Sequence, residues 1–157
     1  MILGIDPGLA NTGFAVLSDE NTLVMHGCIT TGAREKDEMR LKKIYDKLDE
    51  LIKKYGVEEM AIETLFFAKN EKSALAVAEA IGVAKVCASL NKIEVFGYTP
   101  LQVKMTLVGY GRAEKEQVEM MVRNSLNMEE NITPSHASDA VAVALTHLRF
   151  GVLGRSV

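Results

Sequence analysis

The sequence predicts an α/β fold: a five-stranded mixed sheet flanked by helices. Two observations carry that expectation. Short aliphatic runs bounded by turn residues alternate with longer segments of helical periodicity. The first three runs are joined by turns too short for a crossover, so they form an antiparallel meander, whereas the later runs are separated by whole helices. The order is β-β-β-α-β-α-β-α-α-α within 157 residues. That length fits one domain with a substantial core. The domain is expected over residues 1–150, with a frayed, disordered tail at 151–157.

Residues 1–6 read as the first strand. Asp6-Pro7-Gly8-Leu9-Ala10-Asn11-Thr12-Gly13 reads as a turn rich in breaker residues. Phe14–Leu17 and Leu23–Thr30 are the second and third strands, with Asp19-Glu20-Asn21 between them. Residues 38–55 form an amphipathic helix, with Leu41, Ile44, Tyr45, Leu48, Leu51, Ile52 and Tyr55 at helical spacing and Gly56 as its C-cap. Residues 58–63 form the fourth strand. The helix over 71–90 is small and apolar nearly all round, interrupted in its middle only by Glu79 and Lys85. Such a helix is expected to be buried on more than one side, either within the monomer or at a subunit interface. Residues 93–98 form the fifth strand. Thr99-Pro100 then starts a short helix reaching about Leu107. Gly109-Tyr110-Gly111 breaks the chain before a helix over roughly 113–126. Ser135 opens a final helix reaching about Phe150.

Composition excludes little. Hydrophobic residues make up 48% and charged residues 25%, as in ordinary water-soluble domains. The N-terminus runs straight into a strand with no secretion signal, and no apolar run approaches the roughly 20 residues of a membrane span. Cys28 and Cys87 are isolated, which suits inert thiols in a reduced, cytoplasmic protein. The net charge of −3, from 18 basic and 21 acidic residues, speaks mildly against nucleic-acid binding. A cluster of metal-binding acids would nevertheless lower the total without touching a separate basic face.

Three acids stand where an unpaired charge has no structural task. Asp6 ends the first strand, Glu63 ends the fourth, and Asp139 opens the apolar run of the last helix. Ionised groups beside a core require a partner, and few basic residues neighbour these in sequence. Convergence on a bound divalent cation resolves the difficulty. Hard cations such as Mg²⁺ take oxygen ligands from few carboxylates plus water and substrate phosphate. A pair of them about 3.5–4 Å apart clamps both oxygens of a phosphoryl displacement. His136, three residues before Asp139, shares its helix face and can ligate a metal or handle a proton. The glycine-bearing turn after the first strand admits another reading, a phosphate cradle in a nucleotide-binding fold.

The order of short motifs resembles the RuvC family of bacterial Holliday-junction resolvases. The matching stretches are Ile2–Gly8, Ala61-Ile62-Glu63, Phe66-Phe67-Ala68-Lys69-Asn70, Ser73-Ala74-Leu75, Gln102-Val103-Lys104, Val108–Gly111 with Ala113-Glu114-Lys115, and Asp139–Ala142. Any one is weak; together and in order they are specific. The resemblance implies a ribonuclease-H-like fold, a homodimer, and cleavage of four-way junction DNA dependent on Mg²⁺ or Mn²⁺, with two ions per subunit. Paired symmetric nicks with 5′-phosphate and 3′-hydroxyl ends, in recombination and DNA repair, follow from it. Asp6, Glu63 and Asp139 fall on three of four catalytic, metal-binding acids, and His136 falls on the fourth. An imidazole there favours Mn²⁺ relative to an all-oxygen site. Phe66 falls where the family carries an aromatic at the junction centre. Lys104 and Lys115 fall on basic positions near the scissile phosphate, and Lys69 is a further phosphate contact. The branch-migration proteins RuvA and RuvB are implied partners.

The rival expectations are a ribonuclease-H-like nuclease acting on structured RNA, a nucleotide-binding phosphotransferase, and a junction-binding scaffold without chemistry. The phosphotransferase class needs a second lobe for which 157 residues leave no room.

Overall fold

The computed structural model describes residues 1–64 and 71–154. Strands β1 (Ile2–Asp6), β2 (Asn11–Leu17) and β3 (Leu23–Thr30) form the expected antiparallel meander. Helix α1 (Asp37–Tyr55) leads to β4 (Glu59–Glu63), and α2 (Glu71–Leu90) leads to β5 (Glu94–Tyr98). Helices α3 (Pro100–Val108), α4 (Lys115–Ser125) and α5 (Ser135–Gly154) complete the chain. The sheet order is β3-β2-β1-β4-β5, with β4 parallel to both β1 and β5. The two crossover helices α1 and α2 make those parallel pairs possible.

Two buried layers enclose the sheet. On one face Leu3, Ile5, Phe14, Val16, Met60 and Ile62 pack against Ile44, Leu48 and Leu51 of α1 and Ala80, Ala84 and Cys87 of α2. On the other, Ile2, Ala15, Leu17, Ala61 and Tyr98 pack against α5 and against Val103, Leu107 and Val122 of α3 and α4. The strict alternation of the pleat decides which residues meet α5. On β1 these are the even positions Ile2, Gly4 and Asp6; on β4 they are Glu59, Ala61 and Glu63.

Local chemistry fixes the helix ends. Gly56 takes a left-handed conformation (φ 59°) and its N–H bonds the Ile52 carbonyl, closing α1. Thr99 and Gln102 form a reciprocal capping box at the start of α3, with Pro100 at its first position.

The structure departs from the sequence reading at four places. Strand β2 begins at Asn11 rather than Phe14, because Gly13 pairs with both Asp6 and Cys28 while the buried Thr12 hydroxyl donates to the Gly8 carbonyl at 2.5 Å. Helix α5 continues to Gly154, past the expected end at Phe150. Helix α2 is buried along one stripe only, Ala80, Ala84, Cys87 and Ala88, leaving Leu75, Val86 and Leu90 exposed. Its window Ser73–Leu90 has mean hydropathy 1.6, so one apolar run does reach a length and composition able to cross a bilayer. Glu79 and Lys85 within that run, and the stripe it packs against α1, mark it as a helix of the domain.

Both thiols are free. Cys87 is fully buried, and that burial pushes its pKa up to about 11, so it is unreactive at neutral pH.

Candidate metal centre

The pleat and the strand order bring two acids to one edge of the sheet. Asp6 is the last residue of β1. Glu63 lies one position beyond Ile62, which pairs with Ile5 across the parallel β1–β4 ladder. Both side chains point to the α5 face. Helix α5 reaches them because two glycines let it lie unusually close to the strands. A Cβ at Gly4 would stand 2.8 Å from the Ala144 Cβ and overlap the Ala140 carbonyl oxygen. A Cβ at Gly13 would overlap the carbonyl of His136. Any side chain at either position lifts α5 from the sheet, and with it His136 and Asp139.

Three donors then converge. His136 Nδ1 stands 2.7 Å from Asp6 Oδ2, although 130 positions separate the two residues. One ligand atom from each of Asp6, His136 and Asp139 lies within 4.8 Å of the others. Lys115, at the start of α4, donates to Asp139 Oδ2 at 2.9 Å. Glu63 shares a cleft with Asp139, Lys104 and Lys115, floored by Pro100, Val103 and Ala142.

The electrostatics show a site short of positive charge. Burial raises the Asp6 pKa most; the Asp139 charge adds to the rise, and the hydrogen bond from His136 opposes it without cancelling it. Glu63 is pushed up to about 7, by burial first and then by the charges of Asp6 and Asp139. Lys115 and Lys104 pull it down too weakly to offset that. Burial lowers the Lys115 ammonium pKa, but the hydrogen bond to Asp139 and the surrounding acids outweigh it and leave it raised.

These residues fit a hard divalent cation. Three carboxylates and one imidazole are ligands that Mg²⁺ and Mn²⁺ accept. Bonds of about 2 Å place the ligands of one ion up to about 4 Å apart, close to the spacing observed. The unneutralised negative charge is what such an ion would satisfy.

Of the residues singled out from sequence, Asp6, His136 and Asp139 therefore meet, and Glu63 lies beside them. Lys104 and Lys115 line the same cleft. Phe66 and Lys69 lie outside the described residues. His147 received no role from sequence, yet it bonds Tyr98 and Glu59 at the far end of the sheet. A signal existed. His147 follows His136 by eleven residues, about three turns at 3.6 residues per turn, so the two share a helix face. Glu59 likewise shares its strand face with Glu63.

Comparison with known proteins gives a consistent picture. The profile of the family described as Crossover junction endodeoxyribonuclease RuvC matches residues 2–147. The RuvC of Alkaliphilus metalliredigens is 44% identical over 154 residues, covering 96% of this chain and 94% of that protein. That of Clostridioides difficile is 39% identical over 160 residues, covering 100% and 95%. The structure of Thermus thermophilus RuvC superposes with a TM-score of 0.92 at 34% identity, covering 98% of this chain and 96% of that one. The same protein in complex with a Holliday junction substrate also matches at 0.92, covering 98% and 95%.

Proposed function

Because the chain belongs to the RuvC family of crossover junction endodeoxyribonucleases, we propose that Asp6, Glu63, His136 and Asp139 are the residues with which it holds divalent metal and cuts DNA. The fold is ribonuclease-H-like, and the activity is endonucleolytic resolution of Holliday junctions in recombination and repair. The observation that carries the site reading is the meeting of Asp6, His136 and Asp139, from opposite ends of the chain, with one ligand atom of each within 4.8 Å of the others.

Each residue has a defined task. Asp6 and Asp139 would hold the metal from β1 and α5. Glu63, whose pKa near 7 leaves it part-protonated at neutral pH in the metal-free protein, ionises when positive charge arrives. His136, 44% exposed, offers its ring to metal or to a proton from the cleft side. Lys115 and Lys104 draw the scissile phosphate into the cleft. Two Mg²⁺ ions, with Mn²⁺ as substitute, would supply Lewis-acid charge and an acidified water at phosphorus. The products are a 5′-phosphate and a 3′-hydroxyl.

A four-way junction has approximate two-fold symmetry, and paired nicks need two sites related by the same axis. The exposed Leu75, Val86 and Leu90 of α2 support a homodimer built on that helix. Phe66 fits an apolar wedge between unstacked bases at the junction centre, with Lys69 on a neighbouring phosphate. We place the protein in the cytoplasm, working with RuvA and RuvB.

The decisive assay compares wild type with Asp139→Asn on a labelled four-way junction in Mg²⁺ and in Mn²⁺. The expected result is symmetric nicking by wild type only, with junction binding kept by the variant. Nicking that persists in EDTA would overturn the reading.

A further inference from the structure

We propose that His147 is a positioning residue for the metal site: it pins α5 to β4 and β5 and so sets how far Glu63 stands from His136 and Asp139. The inference rests on the metal-site reading above.

Both ring nitrogens of His147 are engaged. Nδ1 stands 2.7 Å from the Tyr98 hydroxyl, and Nε2 stands 3.0 Å from Glu59 Oε2. A neutral imidazole satisfies both contacts at once, accepting from the Tyr98 O–H at Nδ1 and donating from Nε2 to Glu59. Tyr98 belongs to β5 and pairs directly with Glu63; Glu59 opens the strand that Glu63 closes. One side chain of α5 thus grips both strands that carry or flank Glu63.

The spans match. From Glu59 to Glu63 the strand advances about 13 Å at about 3.3 Å per residue. From His147 back to Asp139 the helix advances about 12 Å at 1.5 Å per residue. Fixing one end of this rectangle therefore fixes the other. The β1–β2 side of the site has its own attachment, through Gly4, Gly13 and the His136–Asp6 contact.

Ala61 and Tyr98 pack against α5 in the middle of the β4–β5 side, but packing opens out toward its far end. The Phe96 ring lies on the imidazole with centroids 4.5 Å apart, but next to it a cavity of about 370 Å³ opens between Ile2, Phe96, Leu148 and Phe150. With space beside the helix, directional hydrogen bonds hold its distance from the strands.

The test is calorimetric titration of Mn²⁺ into the metal-free wild type and the Tyr98→Phe, Glu59→Gln and Asp139→Asn variants, with far-UV circular dichroism and thermal melts alongside. Tyr98→Phe keeps the ring and removes one bond. It is expected to keep the folded spectrum and weaken Mn²⁺ binding about tenfold. Glu59→Gln keeps an acceptor for Nε2 and is expected to weaken binding less; it decides the matter by the same titration if Tyr98→Phe does not fold. A Tyr98→Phe protein that melts earlier yet binds Mn²⁺ as wild type does would overturn the positioning role. An Asp139→Asn protein that binds Mn²⁺ unchanged would overturn the metal site itself.

Discussion

Helix α5 carries a histidine at each end of its run along the sheet, and the two ends are built from the same kinds of residue to opposite effect. At one end His147, its side chain 7% exposed, has both nitrogens bonded, to Tyr98 and to a single carboxylate. At the other, His136 touches Asp6 while Glu63 and Asp139 crowd in, and burial plus like charge lift the Glu63 pKa to about 7. A buried polar group with its partners in place stabilises a fold. A surplus of like charge at a cleft destabilises it until something binds. The contrast teaches that a carboxylate–histidine pair means little alone; the charge left over around it separates a brace from a site.

The largest expected effect breaks the contrast at its functional end. Asp6→Asn removes one charge and one proposed metal ligand with almost no change in shape. Nicking of junctions is expected to fall by about 10³-fold or more, on the scale of losing a directly acting group, while gel-shift binding in Ca²⁺ is retained. Parallel loss of binding and nicking would mean that Asp6 holds the fold rather than metal.

Next comes the spacing of α5. Gly13→Ala drives a methyl into the His136 backbone. Overpacking against backbone is expected to destabilise by about 3 kcal/mol, read as a drop in the urea midpoint, with Mn²⁺ affinity falling as His136 lifts away. A variant as stable as wild type would show that α5 adjusts freely.

The charge surplus has a pH signature. Glu63 protonates near 7 when folded and near 4.5 when unfolded. Below about pH 4.5 both states hold the proton, and the group's stabilisation is complete. As pH rises through 7 the folded chain must ionise a crowded acid, and stability falls, by at most about 3 kcal/mol. Asp6 shifts in the same direction. Urea midpoints of metal-free protein between pH 5 and 8 should therefore decline, and Glu63→Gln should flatten the decline. Divalent metal should restore stability above pH 7 more than below pH 5. A flat wild-type profile would remove the charge argument.

The smallest effect sets the baseline. Lys42 and Asp46 form an exposed pair on α1, far from both ends of α5. Lys42→Ala is expected to change stability by less than about 0.5 kcal/mol, in melts done beside the others.

Much of the architecture was legible because periodicity records burial. Helix α1 and strand β3 follow from their own side-chain patterns, and α2 is legible as a helix from its continuous apolar run. The sequence also exposed the three acids, since a charge at the end of an apolar strand is a local anomaly. What it hid is set by long-range pairing. Asn11 and Thr12 read as loop residues, and only the ladder to Thr30 and Ile29 makes them strand. His147 bonds partners 49 and 88 positions away; its helical spacing from His136 hints at a shared face but does not name those partners. The apolar run of α2 left two coverings open, within the chain or at a subunit interface, because hydrophobicity cannot say which side is covered within one chain; Leu75, Val86 and Leu90 are exposed in the single chain.

The central claim is that Asp6, His136 and Asp139 share a metal ion. The most direct measurement is anomalous diffraction from crystals grown with Mn²⁺, collected near the manganese edge. The account predicts a peak about 2 Å from donor atoms of Asp6, His136 and Asp139, with Glu63 beside it. Manganese bound elsewhere, with these side chains still paired as they are in its absence, would contradict it.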